Sequence, residues 1–289
     1  MTYTRNIFQK PLLMLPVLAA IGFMLTASLS SSITAEPQNI PETALLPDIT
    51  PGVPKHLSIH NEHQTEILRF TNVWANVGAG ALEFEEGPIV NGNQTAFQNL
   101  YDDEGNFGNP PLNIWQEVTS EFFFHPTHNH WHVDKIGEFS VRVDDNGSPG
   151  EIAPGAQNQK VGFCIIDVYR YDEVKSSPSS EKIYWDCEYD LQGIQPGWAD
   201  QYHQSVEGNE IDITELDEGI YFLVNEWNPD GNFVDADVTN NKSWVKFLLE
   251  DNNPGNGNRK ITIIEEFAPE CDETGGTTPG ICGDLNKNS

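Results

Sequence analysis

Four of the chain's eight histidines lie within eight consecutive residues, in the stretch His-Pro-Thr-His-Asn-His-Trp-His that begins at position 125. Pro126 is tolerated where a β-strand begins. In a strand, side chains at positions i, i+2 and i+4 point to the same face, so a strand that starts after this proline would bring together His128, His130 and His132. Because imidazole is a ligand for copper, zinc, iron and nickel, the spacing predicts a transition-metal site on these three residues.

The other histidines are less decisive. His125 could be a fourth ligand, a donor that orients another ligand, or a hydrogen-bonded neighbour of the site. Near the start of the chain, the loose spacing of His56, His60 and His63 favours solvated surface positions. Three histidines with one open coordination position suit a zinc hydrolase, a copper oxidase that uses oxygen, or a copper carrier without chemistry. Other residues must distinguish these alternatives.

Short strands separated by turns are the elements that must position the cluster. Residues 137–143 alternate between apolar and polar side chains, as a strand with one buried face does. The other strand-like segments are residues 66–73, 81–85, 122–124, 162–169, 210–214, 219–226, 243–249 and 260–265. Turn sequences such as Asn-Pro-Asp-Gly recur between them, and we find neither a long amphipathic helix nor an internal repeat. The pattern predicts an all-β domain, β-sandwich-like or barrel-like, with long loops and little helix.

The first 35 residues have the pattern of a secretory signal peptide. Arg5 and Lys10 give a basic start, an apolar run extends from Leu12 to Ala27, and small residues lead to Ala35. Cleavage after residue 35, or after residue 27, would release the mature chain. A single membrane anchor is the alternative, but the run is short and interrupted by a proline. We therefore expect an exported protein, extracellular or periplasmic.

Composition also suggests the domain boundaries. The mature domain is predicted to cover residues 36–250, because strand-like segments and turns fill this range. Residues 251–258 are rich in Asn and Gly, which is typical of a linker. We therefore assign residues 251–289 to a linker, a final strand and a loop between two cysteines.

Four cysteines are present, and none has the Cys-x-x-Cys spacing of a thiolate metal site. An even number of cysteines in an exported chain favours disulfides. Cys271 and Cys282 flank a stretch rich in Gly, Thr and Pro, so we predict that they close a local loop. Cys164 and Cys187 then remain to pair with each other.

The chain is strongly acidic, with 15 Lys and Arg against 44 Asp and Glu. The first 35 residues contain two of the basic and none of the acidic residues, which leaves 13 against 44 and a net charge of −31 in the mature chain. Nucleic-acid binding needs a basic surface, so the charge argues against nucleic-acid partners. Two interpretations remain: solubility in a salty environment, or long-range attraction of cationic partners and substrates.

Three further motifs follow the histidine cluster. Glu-Phe-Ser occurs at residues 138–140, Lys-Val-Gly-Phe-Cys-Ile-Ile-Asp at 160–167, and Pro-Gly-Trp-Ala-Asp-Gln-Tyr at 196–202, with Ile-Asp-Ile-Thr at 211–214. In these motifs and in the histidine cluster, over roughly residues 46–250, the chain resembles the lysyl oxidase family. The family's copper motif is a His-x-His-x-His with a further histidine three residues earlier. This chain has about two more residues between that motif and Glu-Phe-Ser.

The resemblance implies a cofactor and a reaction. Lys160 and Tyr202 match the two residues that form lysine tyrosylquinone with the help of copper, although Gln159 stands where the family often has a histidine. A lysine near a metal cation and away from water has a lowered pKa, which favours the neutral amine that the crosslink requires. The implied reaction is oxidative deamination of a primary amine by oxygen, on peptidyl lysine or a small amine. Asp200 is our candidate for the general base, with a structural aspartate in a turn as the alternative.

The resemblance extends to calcium and to the disulfides. Asp-Ala-Asp-Val-Thr-Asn-Asn, from position 235, is dense in the oxygen ligands that calcium prefers. A similar family segment binds calcium together with an aspartate near the start of the domain. The implied calcium ligands are Asp48, Ile49 (through its carbonyl), Asp235, Asp237, Asn240 and Asn241. A polar turn without metal is the alternative. The pair formed by Cys164 and Cys187 fits one family disulfide, whereas the C-terminal pair has no close match.

Overall fold

The computed structural model describes residues 40–102, 115–156, 159–171, 181–251, 259–271 and 282. The predicted signal peptide, the Asn/Gly-rich linker from residue 252 on, and most of the C-terminal cysteine loop lie outside these ranges. The described residues form strands and turns without a helix, so the expected all-β fold is confirmed. None of them belongs to a helix that is long and apolar enough to cross a membrane. The strands are β1 (Ile49–Pro51), β2 (Lys55–Glu62), β3 (Thr65–Asn76), β4 (Leu82–Val90), β5 (Asn93–Leu100), β6 (Trp115–His125), β7 (His130–Asp145), β8 (Ser148–Ile152), β9 (Gln159–Phe163), β10 (Tyr169–Arg170), β11 (Gln192–Ile194), β12 (Trp198–Tyr202), β13 (Glu210–Asp212), β14 (Gly219–Trp227), β15 (Lys242–Asp251) and β16 (Arg259–Phe267).

The strands form two antiparallel sheets. The larger sheet has the order β11-β4-β5-β6-β7-β14-β15-β16, with β8 and β9 also paired to β7. The smaller sheet has the order β1-β3-β12-β10, and β2 and β13 pair with β3 as well. The long strand β7 therefore organises the larger sheet and β3 the smaller one. The predicted final strand is present as β16, hydrogen-bonded to β15.

Aromatic side chains join the two sheets in one core. The ring of Phe70 in β3 lies 4.8 Å from that of Phe139 in β7, in an edge-to-face arrangement. The ring of Trp74, also in β3, approaches the backbone of β7 at Gly137, where a Cβ atom would lie 2.5 Å from the indole. Its Nε1 donates a 3.1 Å hydrogen bond to Asn225 of β14. Because truncating a buried Trp or Phe to Ala costs about 3–5 kcal/mol, these contacts hold β3 and β7 firmly together.

One predicted strand is wrong in its extent. Residues 162–169 do not form a single strand, because β9 ends at residue 163 and β10 begins at residue 169. In between, the fully buried Asp167 accepts hydrogen bonds of 2.9–3.1 Å from three backbone amides of residues 183–195. These bonds replace strand pairing. The apolar side chain of Ile165 is nevertheless completely buried. The apolar run in residues 162–169 therefore reflects burial in the core and not pairing in a β-sheet.

Candidate metal centre and neighbouring pocket

The histidine cluster occupies the end of the β6–β7 hairpin. His125 ends β6 and pairs with His130, the first residue of β7, and Phe123 pairs with His132. Residues that pair across two antiparallel strands share a face, so these three histidines point the same way. The prediction of a single strand is wrong for His128, which lies in the turn. Asn129, at φ 58°, donates its backbone N–H to the carbonyl of His125 at 2.8 Å and closes this turn.

The ring nitrogens nevertheless converge. His132 Nε2 lies 3.0 Å from His130 Nε2 and 3.3 Å from His128 Nδ1. Two nitrogens that each sit about 2.0 Å from one metal ion are separated by roughly this distance, so the spacing suits a first coordination shell. The His125 ring stacks on His128, with centroids 4.1 Å apart, and a second grouping of ligand atoms within 4.8 Å joins it with His128 and His132. Two overlapping triads therefore share His128 and His132.

A backbone carbonyl fixes the tautomer of His132. Its Nδ1 lies 2.8 Å from the carbonyl oxygen of Gly162, which can only accept, so Nδ1 carries the proton and Nε2 turns its lone pair toward the cluster. Burial, and next the neighbouring histidines beginning with His130, lower the pKa of His132 to about 3. Burial likewise lowers the pKa of His128 and of His130. The rings are therefore neutral near pH 7, the form that binds metal.

The two predicted cofactor residues lie on strands that meet beside the cluster. The backbone of Lys160 lies in β9, paired with Glu138 of β7. Tyr202 ends β12 and stacks on Phe163 of β9, with centroids 4.1 Å apart and planes 21° apart. The Phe163 ring is in turn 6.2 Å from that of His132. A row of rings thus connects the predicted metal ligand to the predicted cofactor tyrosine.

The side chain of Tyr202 is partly buried, and its phenol has a fixed partner. Its hydroxyl donates a hydrogen bond to the carbonyl of Cys164. Burial, and then the negative charge of Asp200, raise the pKa of Tyr202 above its usual value. Asp200 is 1% exposed, and burial raises its own pKa well above the usual range. It lies on the same strand as Tyr202 but not among the described residues that line the neighbouring pocket, and its role as general base stays a prediction.

That pocket opens next to the histidines and has a volume of about 180 Å³. Its described lining residues are Phe123, His125, His132, Val161, Gly162, Glu207 and Gly208. The sequence analysis did not identify Glu207. The position of this residue, five after Tyr202, was the only available signal, because a glutamate in an acidic chain does not stand out.

Both predicted disulfides are confirmed, between Cys164 and Cys187 and between Cys271 and Cys282. The first lies close to the histidine cluster. The carbonyl of Cys187 accepts a 2.9 Å hydrogen bond from the backbone N–H of Trp131 in β7, and the carbonyl of Cys164 accepts a hydrogen bond from the hydroxyl of Tyr202. This disulfide therefore ties the histidine hairpin to the strand of the predicted cofactor tyrosine.

The predicted calcium ligands meet at the C-terminal end of β3, where Asn76 pairs with Ile49. Asn240 Nδ2 donates to Asp48 Oδ1 at 2.8 Å, and the backbone N–H of Ile49 donates to Asp235 Oδ1 at 3.3 Å. Asp235 Oδ2 and the side-chain oxygens of Asn240 and Asn241 are buried without a hydrogen-bond partner in the described part of the chain. Buried oxygens without donors fit a cation, since leaving them unpaired is costly.

The two acidic residues of the segment 235–241 behave differently from each other. Burial, and next repulsion from Asp48, raise the pKa of Asp235 to about 7. Asp237 is exposed, and hydrogen bonds from the side chain and backbone of Thr239 lower its pKa. Asp237 therefore stabilises its own turn, whereas Asp235 faces the group of unpaired oxygens. The three N-terminal histidines, His56, His60 and His63, are exposed, as expected.

Comparison with known proteins agrees with the motifs. The model of the lysyl oxidase family matches residues 104–254, more than half of the chain. Lysyl oxidase homolog 1 of Homo sapiens is 27% identical over 134 residues, 46% of this chain and 20% of that protein. Lysyl oxidase homolog 3A of Danio rerio is 30% identical over 118 residues, 41% of this chain and 14% of that protein. Protein-lysine 6-oxidase of Gallus gallus is 26% identical over 141 residues, 45% of this chain and 31% of that protein. The matched region thus spans less than a third of these relatives, and the match to the family model shows that the chain belongs to the lysyl oxidase family.

Proposed function

We propose that this protein is a copper- and quinone-dependent amine oxidase. It converts a primary amine, oxygen and water into an aldehyde, ammonia and hydrogen peroxide. The substrate is peptidyl lysine or a small amine. The observation that supports this most strongly is the convergence of three histidine nitrogens beside the stacked pair of Phe163 and Tyr202. Membership of the lysyl oxidase family supports it independently.

The donor set fits copper. His128, His130 and His132 would hold the ion, and His125 is available as a fourth ligand because its buried Nδ1 has no hydrogen-bond partner among the described residues. Neutral imidazoles bind copper more tightly than the other common divalent metals of the first transition row. Copper, when bound, supplies redox chemistry with oxygen, which zinc cannot do.

Lys160 and Tyr202 would supply the quinone cofactor, whose carbonyl group is the electrophile for the amine. The chain positions the tyrosine for this role. Phe163 packs against one face of its ring, and the carbonyl of Cys164 binds its hydroxyl. With its pKa raised, the phenol stays protonated and keeps donating this hydrogen bond at neutral pH.

The remaining features support an exported enzyme that attracts cations. The chain has a net charge of −29, which raises the local concentration of protonated amines by long-range attraction. Its two disulfides are typical of an oxidising compartment. Calcium would be bound by the carbonyl of Ile49 and the oxygens around Asp48 and Asp235, as the unpaired buried oxygens at this site suggest.

A peroxide assay on a copper-loaded protein tests the proposal. Wild type should release hydrogen peroxide from small amines or a lysine-rich protein in an oxygen-dependent way, and Lys160→Ala and Tyr202→Phe should reduce the rate to background. Mass spectrometry should find residues 160 and 202 in one crosslinked peptide, with a quinone absorption. His63→Ala, an exposed histidine far along the chain from the cluster, is the matched control.

Two outcomes would replace the proposal. Tight copper binding with both side chains unmodified and no peroxide from any amine would make the protein a copper carrier. Hydrolytic activity with zinc, independent of oxygen, would make it a zinc hydrolase.

A further inference from the structure

Glu207 lies at the pocket beside the histidine cluster, and its position suggests a task. It follows Tyr202 by five residues and lines the pocket together with His125 and His132. The side chain is exposed, so it is open to solvent and to an incoming molecule. When the histidines are neutral, Glu207 is the one formally charged residue among the described lining residues.

The backbone around Glu207 is firmly anchored. The N–H of Val206 donates to the carbonyl of His203 at 2.8 Å, and the N–H of Asn209 donates to the carbonyl of Val206 at 3.2 Å. The fully buried Asn209 also donates its side-chain amide to the carbonyl of His203 at 3.1 Å. These bonds close a compact turn, so the carboxylate is presented from a rigid support.

The turn packs against the ring that positions the predicted cofactor tyrosine. Gly208 has φ +100°, and a Cβ atom there would lie 3.1 Å from the ring of Phe163. The same ring stacks on Tyr202, with centroids 4.1 Å apart. Glu207 is thus held on the same packed unit as Tyr202, at the side facing the histidines.

Among the described residues, the carboxylate of Glu207 has no cationic partner. No Lys or Arg side chain in the described part of the chain forms an ion pair with it. The negative charge of Glu207 already acts on the cluster. It raises the pKa of His128, whereas burial lowers it. A divalent metal on the histidines repels an approaching ammonium group, and a carboxylate between the two offsets that repulsion.

We propose that Glu207 is the substrate-binding residue that pairs with the ammonium group of the amine at the pocket entrance. This rests on the proposed amine oxidase function and makes Glu207 a determinant of the preference for cationic amines. With about 180 Å³, the pocket has the room of roughly six water molecules, which suits an unbranched alkylamine or the end of a lysine side chain.

Binding measured without turnover tests this role. We would titrate copper-loaded protein with tert-butylammonium, which has no hydrogen on its α-carbon and cannot be oxidised, and with tert-butanol as its uncharged counterpart. Isothermal titration calorimetry would compare wild type, Glu207→Gln and Glu218→Gln. Glu218 is an exposed glutamate outside the pocket, so its variant carries the same change in net charge.

We expect Glu207→Gln to bind tert-butylammonium roughly fivefold more weakly than wild type, as for an exposed ion pair. Glu218→Gln should stay within twofold, and tert-butanol should not distinguish the three proteins. Salt should shrink the gap between wild type and Glu207→Gln, because screening weakens exposed charge pairs. Equal affinities of wild type and Glu207→Gln, or no binding by wild type, would overturn the role. Loss of copper from Glu207→Gln would also overturn it, since the residue would then be a metal ligand.

Peroxide release separates this proposal from the function on which it rests. If wild type binds the cation through Glu207 but oxidises no amine, the proposed function fails and the binding site stands. If wild type oxidises amines and Glu207→Gln has an unchanged KM, the function stands and the role of Glu207 fails.

Discussion

The two candidate metal sites are built in opposite ways. The histidine site comes from eight consecutive residues at the end of one hairpin, with rings kept neutral by burial. The acidic site joins Asp48 to Asp235, 187 positions later in the chain, and brings two carboxylates close enough to repel each other. A local site needs little more than its hairpin, whereas a site made of distant segments exists only in the folded domain.

This difference predicts different effects of metal removal. At the acidic site, the N–H of Ala236 donates to the carbonyl of Pro47 at 2.8 Å, so the N-terminal segment already lies against the loop. A cation at this site would bridge the two segments, and its binding free energy would add to the stability of the whole domain. Copper on the hairpin would matter mainly for activity. The following predictions test this contrast.

The largest effect is expected for His132→Ala. His132 belongs to both triads, and its Nε2 faces the two other nitrogens at about 3 Å. Changing a residue that merely orients a ligand costs 10–100-fold in metal affinity, so the loss of this ligand should cost on the order of a thousandfold. Copper content after dialysis and peroxide release measure it, with His63→Ala as the control. Retention of one copper per chain would exclude the triads as the metal site.

Part of the candidate site was predictable from the sequence. The histidine spacing alone predicted that the rings converge, although His128 reaches the cluster from the turn and not from a strand. That the cluster binds a metal stays a prediction. Tyr202 carried no signal of its own, because a strand-end tyrosine is usually a packing residue, and only the family motif identified it. Glu207 needed the structure, since the fold, and not the spacing, brings its turn to the histidines.

Strand β5 shows why a buried polar strand is hard to predict from the sequence. β5 was not predicted, because Gln98 and Asn99 look like exposed residues. Both are fully buried. The Gln98 amide donates to the carbonyl of Val234 at 2.9 Å and accepts from its N–H at 2.8 Å, as a backbone group would do. Such a pairing satisfies a polar side chain inside the core, and hydrophobic periodicity does not detect it.

The next prediction concerns calcium and stability. At a calcium concentration 100 times its dissociation constant, a site that binds only the folded state should stabilise it by about 2.7 kcal/mol. Asp235→Asn should remove most of this gain, because Asp235 supplies the carboxylate among the three buried oxygens that lack a partner in the described residues. Urea unfolding with and without calcium measures it. Asp190→Asn, an exposed aspartate elsewhere, should keep the full gain. A calcium effect that survives Asp235→Asn would place the ion elsewhere.

A smaller effect is expected for His125→Ala. The His125 ring stacks on His128 and keeps a buried nitrogen without a partner in the described residues, so we expect it to bind copper as the fourth ligand. Copper affinity should fall about tenfold, less than for His132→Ala, because three nitrogens remain. The copper electron paramagnetic resonance spectrum should change as well. An unchanged spectrum with weaker binding would show that His125 only packs against the site.

The last prediction is the pH dependence of the metal-free domain. The pKa of Asp235 is about 7 in the fold and near 3.8 in the unfolded chain. Between these values the folded state holds a proton that the unfolded state has lost, so this residue lowers stability as pH rises from about 4 to 7. The raised pKa reflects burial first and the nearby Asp48 second, and both make the carboxylate costly without a cation.

After treatment with a chelator, Asp235→Asn should therefore be more stable than wild type at pH 8. The difference in the free energy of unfolding between the two proteins should shrink toward pH 5. Urea unfolding of both proteins at several pH values measures it. Calcium should stabilise wild type more at pH 8 than at pH 5, because at the lower pH it must displace the proton. At the histidine site the sign is reversed: lowered pKa values make the metal-free fold lose stability as pH falls below about 6.5. If both regions responded to pH in the same direction, the contrast between a neutral local site and a charged long-range site would be wrong.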